Sequence, residues 1–304
     1  MGLLAYILAY SAIWFIHLLP RRLFYFVSDL FSFLTQFVVR YRKRVVRENL
    51  TRAFPEYERG KIRRIERRFY RHLCDMILES ATSHFLNEKK FLSKISYLNP
   101  ELLNQYHSRG KQLIAATGHY GNWEYLSSLE GASDYRVIAT YRPLRNKYFD
   151  RLVKKNRERF NLTVVPVSQM TRKMIHYHQQ NVPVLTIILT DQRPMFHQIQ
   201  YWTKFMGIDT PLYTGTERIA RKLDAAVVFL KIRKVTRGNY QVEIVPICDD
   251  PRSMKPNAIT EAHLRILEEL IREEPAYWLW SHRGWKHSLE KYLEKNPDYA
   301  SAGG

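Results

Sequence analysis

QLIAATGHYGNWEY, residues 112–125, carries the pattern that decides the fold. QLIAAT (112–117) is a short apolar run of strand length, and it ends in a turn where Gly118 and Gly121 flank His119. Residues 121–130 then read as a helix. The same alternation continues downstream. YRVIAT (135–140), LTVVPV (162–167), VLTIIL (184–189), AAVVFLKI (225–232) and YQVEIVPI (240–247) read as strands. Residues 146–159, 169–180 and 214–223 read as helices between them. Such alternation predicts an α/β fold with helices packed on a sheet. TRGN (236–239) is a turn joining two antiparallel strands, so the sheet is mixed. Thr260 is placed to cap a last helix over 261–273, with Leu264, Leu267 and Ile271 on one face and Pro275 stopping it. Upstream, residues 61–86 read as a helix.

Open α/β sheets place their sites at the carboxyl ends of strands. Three polar clusters sit there: GHYGNWE (118–124), YRPLRN (141–146) and TDQRP (190–194).

The chain has 304 residues, 45% of them hydrophobic, enough for one large domain or one domain with an anchor. Its 48 Lys+Arg against 29 Asp+Glu give a net charge of +19, which calls for an anionic partner. The amino terminus narrows the choice. Residues 1–19, MGLLAYILAYSAIWFIHLL, hold no Asp, Glu, Lys or Arg, and a helix of that length rises about 28 Å, close to the hydrocarbon thickness of a bilayer. After Pro20, Arg21 and Arg22, a second apolar stretch (23–39) has Asp29 as its one charge. A cleavable signal peptide fits poorly, since no basic segment precedes the run and no A-x-A site follows. Residues 1–39 are therefore expected to form a membrane-associated helical segment. One span, a hairpin and an interfacial position all suit it. Residues 40–300 are expected to form the catalytic domain, and the tail YASAGG to fray.

Between Arg40 and Arg71 lie thirteen Lys/Arg and four Glu. Next to an apolar anchor, such a cluster reads as contact with anionic membrane lipids on the cytoplasmic side. Nucleic acid is disfavoured because no RNA-recognition or zinc-finger signature accompanies the charge. Cys74 and Cys248 are isolated, His176 and His178 lie two apart, and no HExxH occurs, so no metal site is expected.

The chemistry is expected at His119 and Glu124. In a continuous helix, positions five apart point about 140° apart. With His119 still in the turn, the two side chains can converge. A Glu124 carboxylate bonded to one imidazole nitrogen would fix the tautomer and make the other nitrogen a general base for a hydroxyl. WLWSHRGWK (278–286) also contains a histidine, His282. There a structural or headgroup-level role suits Trp278, Trp280 and Trp285 beside basic residues.

The 118–124 segment resembles the His-x4-Asp/Glu motif of the glycerolipid acyltransferase superfamily. Most of the chain resembles the bacterial late lipid A acyltransferases, the lauroyl/myristoyl transferases. The resemblance is carried by the amino-terminal segment, RENLTRAFPE (47–56), GHYGNWE, YRP (141–143), TDQ (190–192), YTGTERIARK (213–222) and PAYWLWSHRGWK (275–286). It implies a glycerolipid-acyltransferase-like fold at the bacterial inner membrane, with the catalytic domain on the cytoplasmic face. His119 would be the base and Glu124 its orienter. The acyl donor would be a thioester of acyl carrier protein or coenzyme A, with no further cofactor and no G-x-S-x-G nucleophile. The acceptor would be a lipid A precursor; a lysophospholipid, glycolipid or aminolipid is the alternative. Arg142 would bind an acceptor phosphate or developing charge, and Asp191 would position Arg142 or substrate. Asn122 lies within the motif and is counted with the substrate-binding residues. Gly215 and Thr216 would open a helix whose amides hold an anion.

Overall fold

The computed structural model describes residues 2–144, 146–297 and 299, so the expected fraying of the tail falls, beyond Tyr299, outside the described residues. The amino-terminal helices are α1 (Gly2–Leu18), α2 (Arg21–Phe33), α3 (Lys43–Ala53), α4 (Arg59–Ser83) and α5 (Glu88–Leu92). Then come β1 (Ile95–Tyr97), α6 (Glu101–Ser108), β2 (Leu113–Thr117), β3 (Arg136–Tyr141), α7 (Lys147–Arg157), β4 (Thr163–Pro166), α8 (Val167–Gln179) and β5 (Val184–Leu189). The chain closes with β6 (Tyr201–Phe205), β7 (Ile208–Leu212), α9 (Gly215–Leu223), β8 (Ala226–Thr236), β9 (Asn239–Cys248), α10 (Ala258–Glu273) and α11 (Leu289–Lys295).

Seven strands form one mixed sheet in the order β1-β9-β8-β2-β5-β3-β4. Every neighbouring pair is parallel except the β8–β9 hairpin, which turns at Arg237–Gly238 as expected. All five residues of β2 are buried. Side-chain alternation divides them between two faces: Leu113 and Ala115 pack with Val137, Leu185 and Val228, while Ile114 packs with Ile138, Val184 and Val227. Helices cover both faces, so the central strands read as continuous apolar runs. That is why their positions were legible.

The structure adds a separate antiparallel hairpin, β6–β7, where no strand was expected. Its turn residues, Met206 and Gly207, both have positive φ (54° and 76°), the geometry of a two-residue hairpin turn. The helix expected after His119 is present and is of the 3-10 type, Trp123–Ala132. The expected cap of the last long helix is corrected. The last long helix starts at Ala258 with Asn257 at its cap. Thr260 lies inside the first turn, where its backbone N–H and its hydroxyl both donate to Glu217 Oε2 at 3.0 Å.

At the amino terminus, α1 has 17 residues and rises about 26 Å, short of a hydrocarbon core of about 30 Å. Among the described residues no single helix is long and apolar enough to cross a membrane. Helix α2 packs on α4 with its polar side inward. Ser28, Ser32 and the following Gln36 are buried, whereas Leu23, Phe26, Leu30 and Phe33 are exposed. Ser28 Oγ donates to Asp75 Oδ1 at 2.7 Å, and Arg237 bridges Asp29 and Asp75, both at 2.6 Å.

The turn after β2 is packed too closely for side chains at its glycines. A Cβ on Gly118 would lie 2.6 Å from Leu267 Cδ1. Gly121 has φ +62°, and a Cβ there would lie 2.8 Å from Ile232 Cγ2. Gly121→Ala therefore combines left-handed strain with overpacking and should cost on the order of 3 kcal/mol. Urea unfolding checks this. A midpoint equal to wild type would contradict the packing described for this turn.

Candidate active site

Strands β2 and β5 are parallel neighbours, with Thr117 opposite Leu189. The pairing continues one residue further, where the Thr190 N–H donates to Thr117 O at 2.8 Å. His119 and Asp191 each lie two residues beyond those strand ends, and the register brings them together. The imidazole Nδ1 and Asp191 Oδ1 are 2.6 Å apart, and the His119 backbone N–H donates to Asp191 Oδ2 at 2.9 Å. Trp278 Nε1–H donates to the same Oδ2 at 2.8 Å.

An ionised carboxylate only accepts, so Nδ1 carries the proton and Nε2 keeps its lone pair. Burial opposes the imidazolium, yet the charge and hydrogen bond of Asp191 outweigh it and raise the His119 pKa above 6.5. Burial likewise opposes the Asp191 carboxylate. His119 and the Trp278 N–H overcome it and hold Asp191 well below the usual carboxylate range.

A second segment braces this turn. Gly121 N–H donates to Tyr277 O at 3.0 Å, and Leu279 N–H donates to His119 O at 3.1 Å. Residues 277–279 thus pair with 119–121 as a short antiparallel bridge. Trp278, Trp280 and Trp285 are buried in this region, which corrects the expectation of a headgroup-level belt. Their indole N–H groups donate to Asp191, Pro275 O and Thr210 Oγ1, so each is spent inside the protein. His282 follows on the same segment. Its ring centroid lies 5.2 Å from that of His119, and burial, then the neighbouring His119, lower its pKa.

Glu124 does not take the expected place on the His119 ring. Its carboxylate accepts two hydrogen bonds from Arg157, the last residue of α7, at 2.6 and 2.9 Å. The 3-10 turn sends Glu124 towards α7, and the Trp123 ring packs edge-on against the imidazole, 4.9 Å between centroids. His119 still feels the Glu124 charge through space, after burial and Asp191. The Glu124–Arg157 pair helps line a cavity of about 50 Å³ whose other walls include Leu126, Ala139, Leu162, Ile187 and Leu189.

The remaining expected site residues separate. Asn122 is fully buried; its amide donates to Glu79 Oε2 at 3.1 Å and its carbonyl accepts from Ser80 Oγ at 3.1 Å. These structural bonds occupy the side chain expected to bind substrate. Arg142 is exposed and forms no ion pair with Asp191, which is committed to His119 and Trp278. That corrects the expected positioning of Arg142 by Asp191. Gly215 and Thr216 open α9 as expected. The acid of that first turn, Glu217, is buried and accepts from the Asn257 and Thr260 N–H groups, tying α9 to the start of α10.

Arg157 and Trp278 were not singled out as site residues in the sequence. Trp278 was visible only as part of an aromatic cluster. Arg157 sits in VKKNRERF among several basic residues, and nothing in that run marks it. Beyond His282, a groove of about 740 Å³ is lined by Arg44, Arg47, Arg52, Arg283, Trp285 and Lys286, among others.

The chain matches the model of a family described as bacterial lipid A biosynthesis acyltransferase over residues 3–287. No curated protein matches it. Among solved structures, the 1-acyl-sn-glycerophosphate (LPA) acyltransferase PlsC from Thermotoga maritima is similar at 14% identity and a TM-score of 0.40, covering 86% of this chain and 100% of that one.

The dyad makes a pH prediction with a definite sign. The raised His119 pKa means that its share of stability is present below 6.5 and lost as pH rises through the folded value. The depressed Asp191 pKa means that its share is present above 3.8 and lost on acidification. The stability difference between wild type and Asp191→Asn should therefore be largest between about pH 4 and 6.5. NMR titration of His119 should give a midpoint above 6.5 in wild type and a lower one in Asp191→Asn. Equal midpoints would rule out the charge contact.

Proposed function

Because the chain belongs to the bacterial lipid A biosynthesis acyltransferase family, it is an acyltransferase, and we propose that it moves a fatty acyl group from a thioester to a hydroxyl of a lipid A precursor with His119 as general base. Asp191, rather than Glu124, orients the imidazole in this reading. The observation that supports it most is the Nδ1–Asp191 contact at 2.6 Å, which assigns the tautomer and leaves the Nε2 lone pair for a hydroxyl proton. As the acceptor O–H proton passes to Nε2, the oxygen attacks the thioester carbonyl. The C–S bond then breaks, and the leaving thiolate takes the proton back from the imidazolium. The direct transfer uses no covalent acyl-enzyme.

Glu124 remains part of the proposed machinery through Arg157. The bidentate pair fixes the guanidinium beside the apolar cavity, where it can stabilise charge developing on the thioester oxygen. Arg142 and the amides of Gly215 and Thr216 are proposed as contacts for the acceptor's anionic groups. The basic groove of Arg44, Arg47, Arg52, Arg283 and Lys286 supports an anionic substrate, because Arg283 follows the His282 that packs on His119. An acidic acyl carrier protein is the proposed donor on the same electrostatic ground.

The inverted polarity of α2 supports contact with anionic lipids at the inner membrane, the catalytic domain facing the cytoplasm. Leu3, Leu4, Leu8 and Phe15 of α1 are exposed, as are Phe26 and Leu30 of α2, and a bilayer interface would cover such apolar side chains. Basic residues of α3 and α4 follow directly and suit anionic headgroups.

Mass spectrometry of lipids from a deletion strain tests the acceptor. Loss of one acyl chain from lipid A is expected, and wild type but not His119→Ala should restore it. Unaltered lipid A with a changed phospholipid, glycolipid or aminolipid would replace the proposed acceptor. In purified form, Asp191→Asn should lower kcat about 10³- to 10⁴-fold, the scale seen when a catalytic histidine loses its orienting carboxylate. A loss under tenfold would remove Asp191 from the mechanism. Phe26→Glu with Leu30→Glu should move the protein from the membrane to the soluble fraction while leaving its fold intact. Unchanged fractionation would contradict the α1–α2 contact surface.

A further inference from the structure

Arg193 lies two residues beyond Asp191, on the irregular loop between β5 and β6. Nε, Nη1 and Nη2 are all buried, and none has a hydrogen-bond partner among the described residues. An arginine carries five N–H donors and cannot shed its charge under ordinary conditions. Burying such a cation without acceptors is among the costlier arrangements in a folded protein. Among the described residues two interactions offset it: the guanidinium carbon lies 5.0 Å from the Phe205 ring centroid, and Asp191 attracts it through space. Asp191 makes no hydrogen bond to it; three of its acceptor positions are taken by the His119 ring, the His119 backbone N–H and Trp278. Gln192 and Met195, on either side, are exposed, so the guanidinium lies one layer below the surface of the loop.

Buried donors in native proteins are nearly always satisfied, and an orphaned set beside reactive groups points to an acceptor that arrives with a ligand. A guanidinium fork matches two oxygens of a phosphate. We propose that Arg193 is an anion-binding residue of the catalytic site, taking a phosphate group carried by a bound substrate next to the His119–Asp191 pair. This rests on the acyltransferase reading above and extends it to a residue that neither the motif nor the dyad includes. Two substrates could bring the phosphate: the phosphopantetheine arm of a thioester donor, or a phosphorylated sugar acceptor.

Calorimetric titration of the full-length protein in detergent separates them, with 4′-phosphopantetheine as the donor-side probe and glucosamine 1-phosphate as the acceptor-side probe. Wild type should bind one of the two. Arg193→Met should weaken that binding about 10- to 100-fold, the value of losing a charge-assisted hydrogen-bonded contact. Arg193→Lys, which keeps the charge without the fork, should fall between them. Thermal unfolding without probe is the control for a structural role. If the cation is held for a ligand, Arg193→Met melts no lower than wild type, because an unpaired buried charge has been removed. Lower melting together with unchanged probe binding would make Arg193 a structural cation on Phe205 and overturn the proposal. Failure of both probes to bind wild type would overturn it too. Binding is read without turnover, so a protein that binds phosphate through Arg193 yet transfers no acyl chain would sink the functional reading and leave this one standing.

Discussion

The register of β2 against β5 is the constraint on which the site depends. Thr117 opposite Leu189 ends the two strands at one level, and the Thr190-to-Thr117 bond carries the alignment one residue further. His119 and Asp191 meet for that reason alone, although 72 residues separate them in sequence. A slip of one residue between the strands would turn one of the two to the opposite side of the sheet and separate them. The slip is blocked by burial of β2 on both faces and by the glycines after it, each seated against a side chain of a neighbouring element. Bonds from residues 277–279 then fix the turn from the other side.

The strands were legible because sheet burial on two faces leaves a compositional trace, and GHYGNWE and TDQRP were correctly placed at strand ends. Their adjacency was not legible. Strand order is a property of the whole chain, and no local pattern says that β2 lies between β8 and β5. Lacking that order, sequence spacing favoured the near carboxylate, Glu124, as the partner of His119. The Asp191 contact wins because it is set by two strand ends at once, whereas Glu124 hangs on a 3-10 turn, which the sequence pattern reads only as a helix. The same limit explains Thr260. Its hydroxyl type suits a cap, but the buried Glu217 of α9 draws it into a tertiary bond, and the helix starts two residues earlier, at Ala258, directly after Asn257, which takes a left-handed conformation. Trp278, Trp280 and Trp285 carried no local mark of burial, since an aromatic and basic segment suits an interface and a core equally.

The amino terminus was legible as apolar, and its polarity pattern acquires meaning only from its packing. Ser28, Ser32 and Gln36 recur at helical spacing and face α4, opposite to the usual arrangement of a helix on a water-soluble domain. Polar atoms buried in that way must find partners, and they do: Ser28 meets Asp75, and Gln36 Nε2 donates to Glu66 Oε1 at 3.4 Å. Asp75 is fully buried and also holds Arg237 and Lys234 from the β8–β9 hairpin. Burial opposes the Asp75 charge, but Arg237, Lys234 and Ser28 together keep its pKa low. The apolar outer helices are therefore fastened to the sheet through charges, which leaves their greasy faces free.

The two acids of the site divide their work according to what each one neutralises. Asp191 is committed to His119, whose imidazole Nδ1 and backbone N–H it holds together. Glu124 is committed to Arg157, which stays charged, and that pair forms a fixed dipole at the wall of the apolar cavity. Without Glu124, Arg157 would stand as an unpaired, partly buried cation in that wall. With Glu124 on Arg157, the wall is neutral, and His119 keeps the raised pKa that Asp191 gives it. The His-x4-Glu spacing therefore does not hold the imidazole ring: Glu124 acts on His119 only through space, and its hydrogen bonds go to Arg157.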